Sequence, residues 1–534
     1  MKRLLVATLL LYLLLIQPNH PAAMTWGALA LFPLDLPPLL LALVLAGDGR
    51  LGRALRAVLV AVLLAIAALK LADYASFIAF NRGFNLAADL NLVAAGWLLA
   101  QSALGPLLAW LGAAAAVVVL VGCTCALWWA MGQWARLRLP VPRAALGVLL
   151  VLTTGLAVAE IGRARGAWAL PPALNALLPG AAFTTRVGLE RIEQFSQTRA
   201  DLRAFSAAAQ NDPMQDQGPF FGALSGRDMV IVYVESYGRS SFDNPLYAPT
   251  HTTTLRRIEA DLATNGLAMR SGWATAPMVG GQSWLAHGSV AAGLWLDTQA
   301  RNRAMLASPR RTLFHYAQEA GLRTVAIKPA HILPWPEGAF FGFEAIYNAA
   351  DLGYAGLPLN WVTMPDQYTL HALDRLELGR RPRPPILAQV ALISSHAPWV
   401  PVVDLVAWED LGDGRIFDPW ALAGPSPEEV WRDHDRVRDQ FRLSLDYSLR
   451  AVGAWAARQA ADAPLVIVLG DHEPARFVSG NDGFDVPIHV IGPPDLVARF
   501  ARLGWVEGLI PAPGTPAQRM DSLRDTFLTL LSDP

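Results

Sequence analysis

The chain has 534 residues, more than one compact domain usually holds. Its net charge is -1 and 16% of its residues are charged, so no basic surplus marks it for nucleic acid. Hydrophobic residues reach 53%, an excess lying almost wholly before residue 163, which divides the chain into a membrane half and a soluble half.

The first apolar run, Leu4–Ile16 behind Lys2-Arg3, has the length and flanks of a signal-peptide core, and Pro21-Ala22-Ala23 offers small residues for cleavage. Because more apolar segments follow, it reads as an uncleaved anchor helix, with cleavage as the alternative. Met24–Ala46, Ala54–Tyr74, Gly105–Met131 and Ala144–Ile161 each approach or exceed the roughly 20 residues needed to cross the hydrocarbon core. Phe84–Ser102 is interrupted by Asn85, Asp89 and Asn91 and reads as interfacial or re-entrant. Lys2 and Arg3, then Arg50, Arg53 and Arg56, then Arg136, Arg138 and Arg143 mark three loops as cytoplasmic. Five crossings then put everything after Ile161 outside the cytoplasm. Both cysteines, Cys123 and Cys125, fall inside an expected membrane helix, so no disulfide framework is expected in the outer domain.

These signals set an expected transmembrane domain of about five helices over 1–162, a linker over 163–226 and a catalytic domain over 227–534. In the linker, Pro171-Pro172 breaks the chain, Thr185–Gln210 has helical periodicity, and Asn211–Gly218 is turn-rich. The outer domain opens with Asp228–Glu235, an apolar run of strand length followed by Ser-Tyr-Gly, the pattern of a strand buried on both faces of a parallel sheet. Thr324–Ile327, Ile386–Ser394 and Pro464–Gly470 repeat it, with helical segments between. The clearest helix begins at Ser426-Pro427-Glu428-Glu429 and is expected to run to about Ala460. Strands alternating with helices predict a doubly wound α/β domain, mostly parallel, with ligands at the carboxyl ends of its strands.

The stretch Met278–Val290 carries the nucleophile signal. Gly280 and Gly281 lead through Gln282 into Ser283, where helical character begins, so Ser283 sits at or near a helix N-terminus suited to an anion. A Ser hydroxyl needs a base or a metal to remove its proton. Polar residues at the strand ends supply the candidates: Glu235 after the first strand, Ser394-Ser395-His396 after another, and Asp471-His472 after a third. Glu and Asp oxygens with one His nitrogen suit Mn²⁺ or Zn²⁺, and an alkoxide from Ser283 completes a four-ligand shell.

The order Glu235, Ser283, His396, Asp471-His472 resembles the alkaline phosphatase–sulfatase superfamily. More closely, it is similar to the membrane-embedded branch of lipoteichoic acid synthases and phosphoglycerol or phosphoethanolamine transferases. Several apolar helices followed by an extracytoplasmic sulfatase-like domain carry that resemblance along nearly the whole chain. It implies one divalent metal held by Glu235, Ser283, Asp471 and His472, with His396 at the substrate. Two departures matter. That branch usually has Thr where this chain has Ser283, the residue type of alkaline phosphatase itself. Sulfatases proper need Cys or Ser followed by x-Pro-x-Arg, which Ser283-Trp284-Leu285-Ala286-His287 lacks, and this argues against sulfate esters.

Other residues carry weaker signals. His287, four beyond Ser283 on the same helix face, is a second catalytic candidate against a plain helix histidine. Lys328 suits a phosphate oxygen, Trp335 a sugar or glycerol face or simple loop packing, and Arg239 a phosphate or solvent. His489, in an apolar strand, reads as a core histidine before a second-metal ligand. The expected reaction moves a phospholipid head-group phosphate ester through Ser283 to a glycan or lipid acceptor, at the periplasmic side of the inner membrane. The rivals are a sulfatase-like hydrolase, with water as acceptor, and an inactive membrane scaffold.

Overall fold

The structure, a computed structural model, describes residues 1–80, 83–87, 89, 93, 96, 97, 100, 101, 105–169 and 180–533. Nine of the 19 residues of the Phe84–Ser102 segment, and the Pro171-Pro172 break, therefore lie outside the described residues. The chain forms two compact units, Met1–Asp201 and Leu202–Pro534.

Among the described residues of the first unit, three helices are long and apolar enough to cross a membrane: Arg50–Ile78, Pro106–Ala135 and Arg143–Ala164. This is a membrane protein. Two of the five expected crossings are shorter than a span. Lys2–Ile16 is a helix of 15 residues, about 22 Å long at 1.5 Å per residue against a core of about 30 Å. The expected span Met24–Ala46 is broken by its prolines. Phe32–Pro33 is extended and pairs with Gly180–Ala181, and the helix restarts at Leu36 with Pro37 and Pro38 in its first turn, leaving 11 residues to Ala46. Leu11, Leu43, Leu63 and Met131, from four helices, pack in one buried cluster. The helix Phe183–Gln210, inside the region read as linker, runs across the 201/202 boundary.

The second unit is built on one nine-stranded sheet. Its strands are β1 (Met229–Val234), β2 (Ala268–Thr275), β3 (Arg323–Lys328), β4 (Ala345–Asn348), β5 (Ile386–Ala391), β6 (Leu465–Gly470), β7 (Asp485–Gly492), β8 (Val506–Glu507) and β9 (Gln518–Arg519). The order across the sheet is β8-β2-β7-β6-β1-β5-β3-β4, with β9 joining β2. Strands β6, β1, β5, β3 and β4 run parallel, whereas β7 is antiparallel to both β6 and β2. The domain is thus built on a mixed, mostly parallel sheet.

Strand β1 shows why the apolar runs become central strands. All six of its residues are buried. Val230, Val232 and Val234 enter one hydrophobic cluster, while Met229, Ile231 and Tyr233 enter another. Alternate side chains therefore feed cores on opposite faces of the sheet, as a strand of period 2 must when both faces are covered. Each fully buried aliphatic side chain contributes about 1.5–3 kcal/mol. The helix expected from Ser426 is two helices. Ser426 does cap Pro427–Val430, but Asp433 caps a second start, and the long helix is His434–Arg458.

Candidate metal and nucleophile site

Four polypeptide segments meet at the carboxyl end of the parallel strands. Glu235 is the first residue beyond β1, and Asp471-His472 directly follow β6. Ser283 opens the helix Ser283–Ala292, and Lys328 ends β3. The turn into Ser283 needs three positive φ angles in a row, 75° at Gly280, 139° at Gly281 and 65° at Gln282. Glycine takes the first two of these values freely, and a Cβ on Gly280 would also stand 3.3 Å from Ala475 Cα.

The distances are short. Ser283 Oγ donates to Glu235 Oε2 at 3.0 Å and lies 3.2 Å from His472 Nε2. His472 Nε2 is 3.3 Å from Glu235 Oε1 and 3.8 Å from Asp471 Oδ1. His472 Nδ1 donates to the Glu473 carbonyl at 2.8 Å, which fixes the tautomer and leaves the Nε2 lone pair facing the carboxylates. Asp471 Oδ1 accepts the amide N–H groups of Ser236 and His472, each at 2.8 Å. Ser236, with φ 57°, also donates its hydroxyl to Glu235 Oε1 at 3.0 Å. Ligand atoms of Glu235, Asp471 and His472 all fall within 4.8 Å of one another.

This donor set fits a divalent cation. Glu235, Asp471 and His472 are all buried, and among the described residues neither carboxylate pairs with Lys or Arg. The titration of the group shows how far it is from balanced. Burial, then the neighbouring Glu235 charge, pushes the Asp471 carboxyl up to about 7. Burial opposes the Glu235 charge as well, but the adjoining His472 carries that carboxyl well below the usual range. Burial likewise disfavours His472 protonation, yet Asp471 and Glu235 lift the imidazole to about 10. The protein thus draws protons into a place whose charge a cation would neutralise instead.

A cavity of about 630 Å³ opens beside these groups, lined by Glu235, Ser283, Asp471, His287, Lys328, Trp335 and His396. His396 is exposed, and its Nδ1 bonds the Ala397 carbonyl at 2.5 Å. The His287 ring lies 4.0 Å from that of Tyr233, and its Nε2 is buried without a hydrogen-bond partner. Burial, then the nearby Lys328, holds that imidazole well below its ordinary value, so it is neutral. Lys328 is 5% exposed, its Nζ is 3.4 Å from His287 Nδ1, and burial brings it down to about 7. It also stands 5.3 Å over the Trp335 ring.

Arg239 does not join the cavity lining. Its guanidinium bonds Asp243, Asp485 and the Pro513 carbonyl and rests on Trp273. His489 is a core histidine, with Tyr237 Oη and Ser271 Oγ at 3.0 and 2.7 Å, and burial takes it down to about 3. Further residues line the cavity. Trp284 stands inside the Ser283–His287 stretch, and His331 and Glu337 lie close in sequence to Trp335; Gln389 is a buried polar residue within an apolar strand, a visible signal; Gln299, Asn302 and Arg303 carry none.

Fold and site together define an α/β domain with a hydroxyl, two carboxylates and an imidazole gathered at its strand ends. Residues 227–488 match the Sulfatase family model, and this stretch is a sulfatase-family enzyme domain. Comparison with curated proteins returns no significant match. Among solved structures, the chain is similar to the lipoteichoic acid synthase LtaP from Listeria monocytogenes, at 14% identity and TM-score 0.39, over 62% of this chain and 78% of that one. It is similar to the phosphoglycerol transferase GacH from Streptococcus pyogenes at 10% identity and TM-score 0.37, over 63% and 81%. The C-terminal periplasmic domain of EptC from Escherichia coli matches at 14% identity and TM-score 0.36, over 59% and 84%.

Proposed function

We propose that the protein is a metal-dependent transferase that moves a phospholipid head-group phosphate ester, phosphoglycerol or phosphoethanolamine, through a covalent Ser283 adduct to an extracytoplasmic acceptor. The observation that carries this reading is the Ser283 hydroxyl, 3.0 Å from a Glu235 oxygen and 3.2 Å from His472 Nε2, at the wall of a cavity large enough for substrate. Glu235, Asp471, His472 and the Ser283 oxygen would hold one divalent cation, Mn²⁺ or Zn²⁺, which supplies Lewis acidity toward the hydroxyl and the phosphate.

Ser283 would lose its hydroxyl proton to bulk water, a loss favoured by a cation held by these residues. Its oxygen then attacks phosphorus; the Oγ–P bond forms, the bond to the diacylglycerol oxygen breaks, and His396 protonates that leaving oxygen. In the second half, the acceptor hydroxyl passes its proton to His396 and attacks phosphorus, breaking the Oγ–P bond. Lys328 holds a phosphate oxygen while it is charged, and neutral His287 offers its Nε2 to the same group. Trp335 covers the head group's carbon skeleton. Arg239, committed elsewhere, has no part.

The membrane helices would keep the domain at its lipid donor. With Arg50, Arg136, Arg138 and Arg143 at cytoplasmic ends, an odd number of crossings would leave the domain outside the cytoplasm. This is the periplasmic or outer face of the cell membrane. Labelled phosphatidylglycerol and phosphatidylethanolamine, each given with and without glycan, test the reading. Label on glycan supports transfer, whereas label only in free head-group phosphate makes the enzyme a hydrolase.

A further inference from the structure

One cavity wall carries a side chain that the transfer scheme leaves idle. Trp284 directly follows Ser283 and is 51% exposed, whereas Leu285 and Ala286, next on the same helix, are fully buried. The half-exposed Trp284 indole forms part of the cavity wall beside the proposed nucleophile. It is also held in place. Its Nε1–H donates to Gln299 Oε1 at 3.0 Å, which satisfies the polar edge and leaves the apolar ring as contact area. Gln299 opens the helix Gln299–Leu306, whose Thr298 cap accepts from the Arg301 amide. Asn302 and Arg303, three and four residues on, fall on the same helix face and line the same cavity.

That wall has a definite chemistry. A fixed aromatic ring suits the C–H face of a pyranose, and the amide and guanidinium groups around it match ring hydroxyls as donors and acceptors. The space is there too. At about 630 Å³ the cavity falls within the range that encloses a drug-sized ligand, well beyond one phosphate group.

We propose that Trp284, with Gln299, Asn302 and Arg303, forms a sugar-binding subsite that presents an acceptor hydroxyl to the phosphorus carried by Ser283. This rests on the transfer reading above and makes the acceptor a carbohydrate, not a lipid hydroxyl or water. The subsite needs no turnover to be seen, so binding and chemistry can be scored apart.

The test uses the full-length protein, loaded with Mn²⁺ in a detergent without a sugar head group. Maltotriose and cellotriose are titrated by calorimetry with no lipid present. At least one is expected to bind; Trp284→Ala should weaken it about tenfold or more, as loss of an aromatic anchor does, and Trp284→Phe should keep most of the affinity. Metal content, measured on each variant, reports whether it is folded. In parallel, wild-type protein incubated with phosphatidylglycerol is weighed for the Ser283 adduct. An adduct with no sugar binding, or with binding indifferent to Trp284→Ala in a metal-loaded variant, overturns the subsite and spares the transfer reading. Sugar binding that depends on Trp284 without any adduct keeps the subsite and overturns transfer.

Discussion

Ser283 Oγ and His472 Nε2 stand 3.2 Å apart although 189 positions separate them in the chain. One backbone carbonyl ties both partners. Glu473 O accepts the His472 Nδ1–H and the amide N–H of Gly280, each at 2.8 Å, using the two lone pairs of a peptide oxygen. The imidazole and the turn that delivers the nucleophile are thereby set by the same atom.

Asp471→Asn keeps the shape of the side chain and removes its charge. We expect metal affinity to drop by more than the about 10- to 100-fold typical of losing a supporting partner of a ligand, read by elemental analysis after dialysis. Chelation of the wild type should abolish turnover, and Mn²⁺ or Zn²⁺ should restore it. Unchanged metal content in Asp471→Asn would remove that residue from the ligand set.

Ser283→Ala separates binding from chemistry. With two carboxylates and His472 in place, the variant is expected to keep metal, with lowered affinity, while losing all covalent adduct. Ser283→Thr should retain adduct formation. An Ala variant that still turns over lipid would assign the nucleophile elsewhere.

Ser236 holds two of the proposed ligands from a left-handed backbone, φ 57°. Ser236→Gly and Ser236→Ala both lose the hydroxyl bond to Glu235, and each should weaken metal binding by about 10-fold or more. Gly accepts the positive φ freely, so the Gly variant should be the more stable of the two by about 1 kcal/mol. Thermal denaturation of the two apo-proteins checks the order, and equal Tm values would contradict it.

Lys328 trades stability for binding. Its folded value is about 7, lowered by burial, against about 10.4 in an unfolded chain. Below pH 7 the charge is buried at full cost, and that cost fades as pH rises from 7 toward 10.4. Lys328→Met should therefore raise Tm most below pH 7 and little at pH 10, while losing affinity for the head-group phosphate. In the wild type that affinity should fall as pH rises through 7. A Met variant less stable than wild type at pH 6 would contradict the assignment.

The parts legible in the sequence are those where local pattern and global fold agree. Asp228–Glu235, Ile386–Ser394 and Pro464–Gly470 read as strands because each is a run of mostly apolar residues of strand length, broken inside only by Gln389, and both faces of β1 are indeed covered. Glu235 and Asp471-His472 were visible because polar residues ending such runs have nowhere to go but the sheet rim. Antiparallel β2, Ala268–Thr275, mixes Arg270, Ser271 and Gly272 into its run, and its burial is half intermediate, so no apolar block announced it. Arg239 was placed by sequence proximity to Glu235, but its partner Asp485 comes from β7, a contact that no local spacing reveals. The span expected over Met24–Ala46 fails on prolines that mean hydropathy does not penalise.

Intact-protein mass spectrometry of the metal-loaded chain, mixed with phosphatidylglycerol and with phosphatidylethanolamine, tests the central claim most directly. The account predicts an added mass equal to one head-group phosphate ester, located by peptide mapping at Ser283, absent after chelation and absent in Ser283→Ala. A metal-loaded protein that consumes lipid while Ser283 stays unmodified at every time sampled would contradict it.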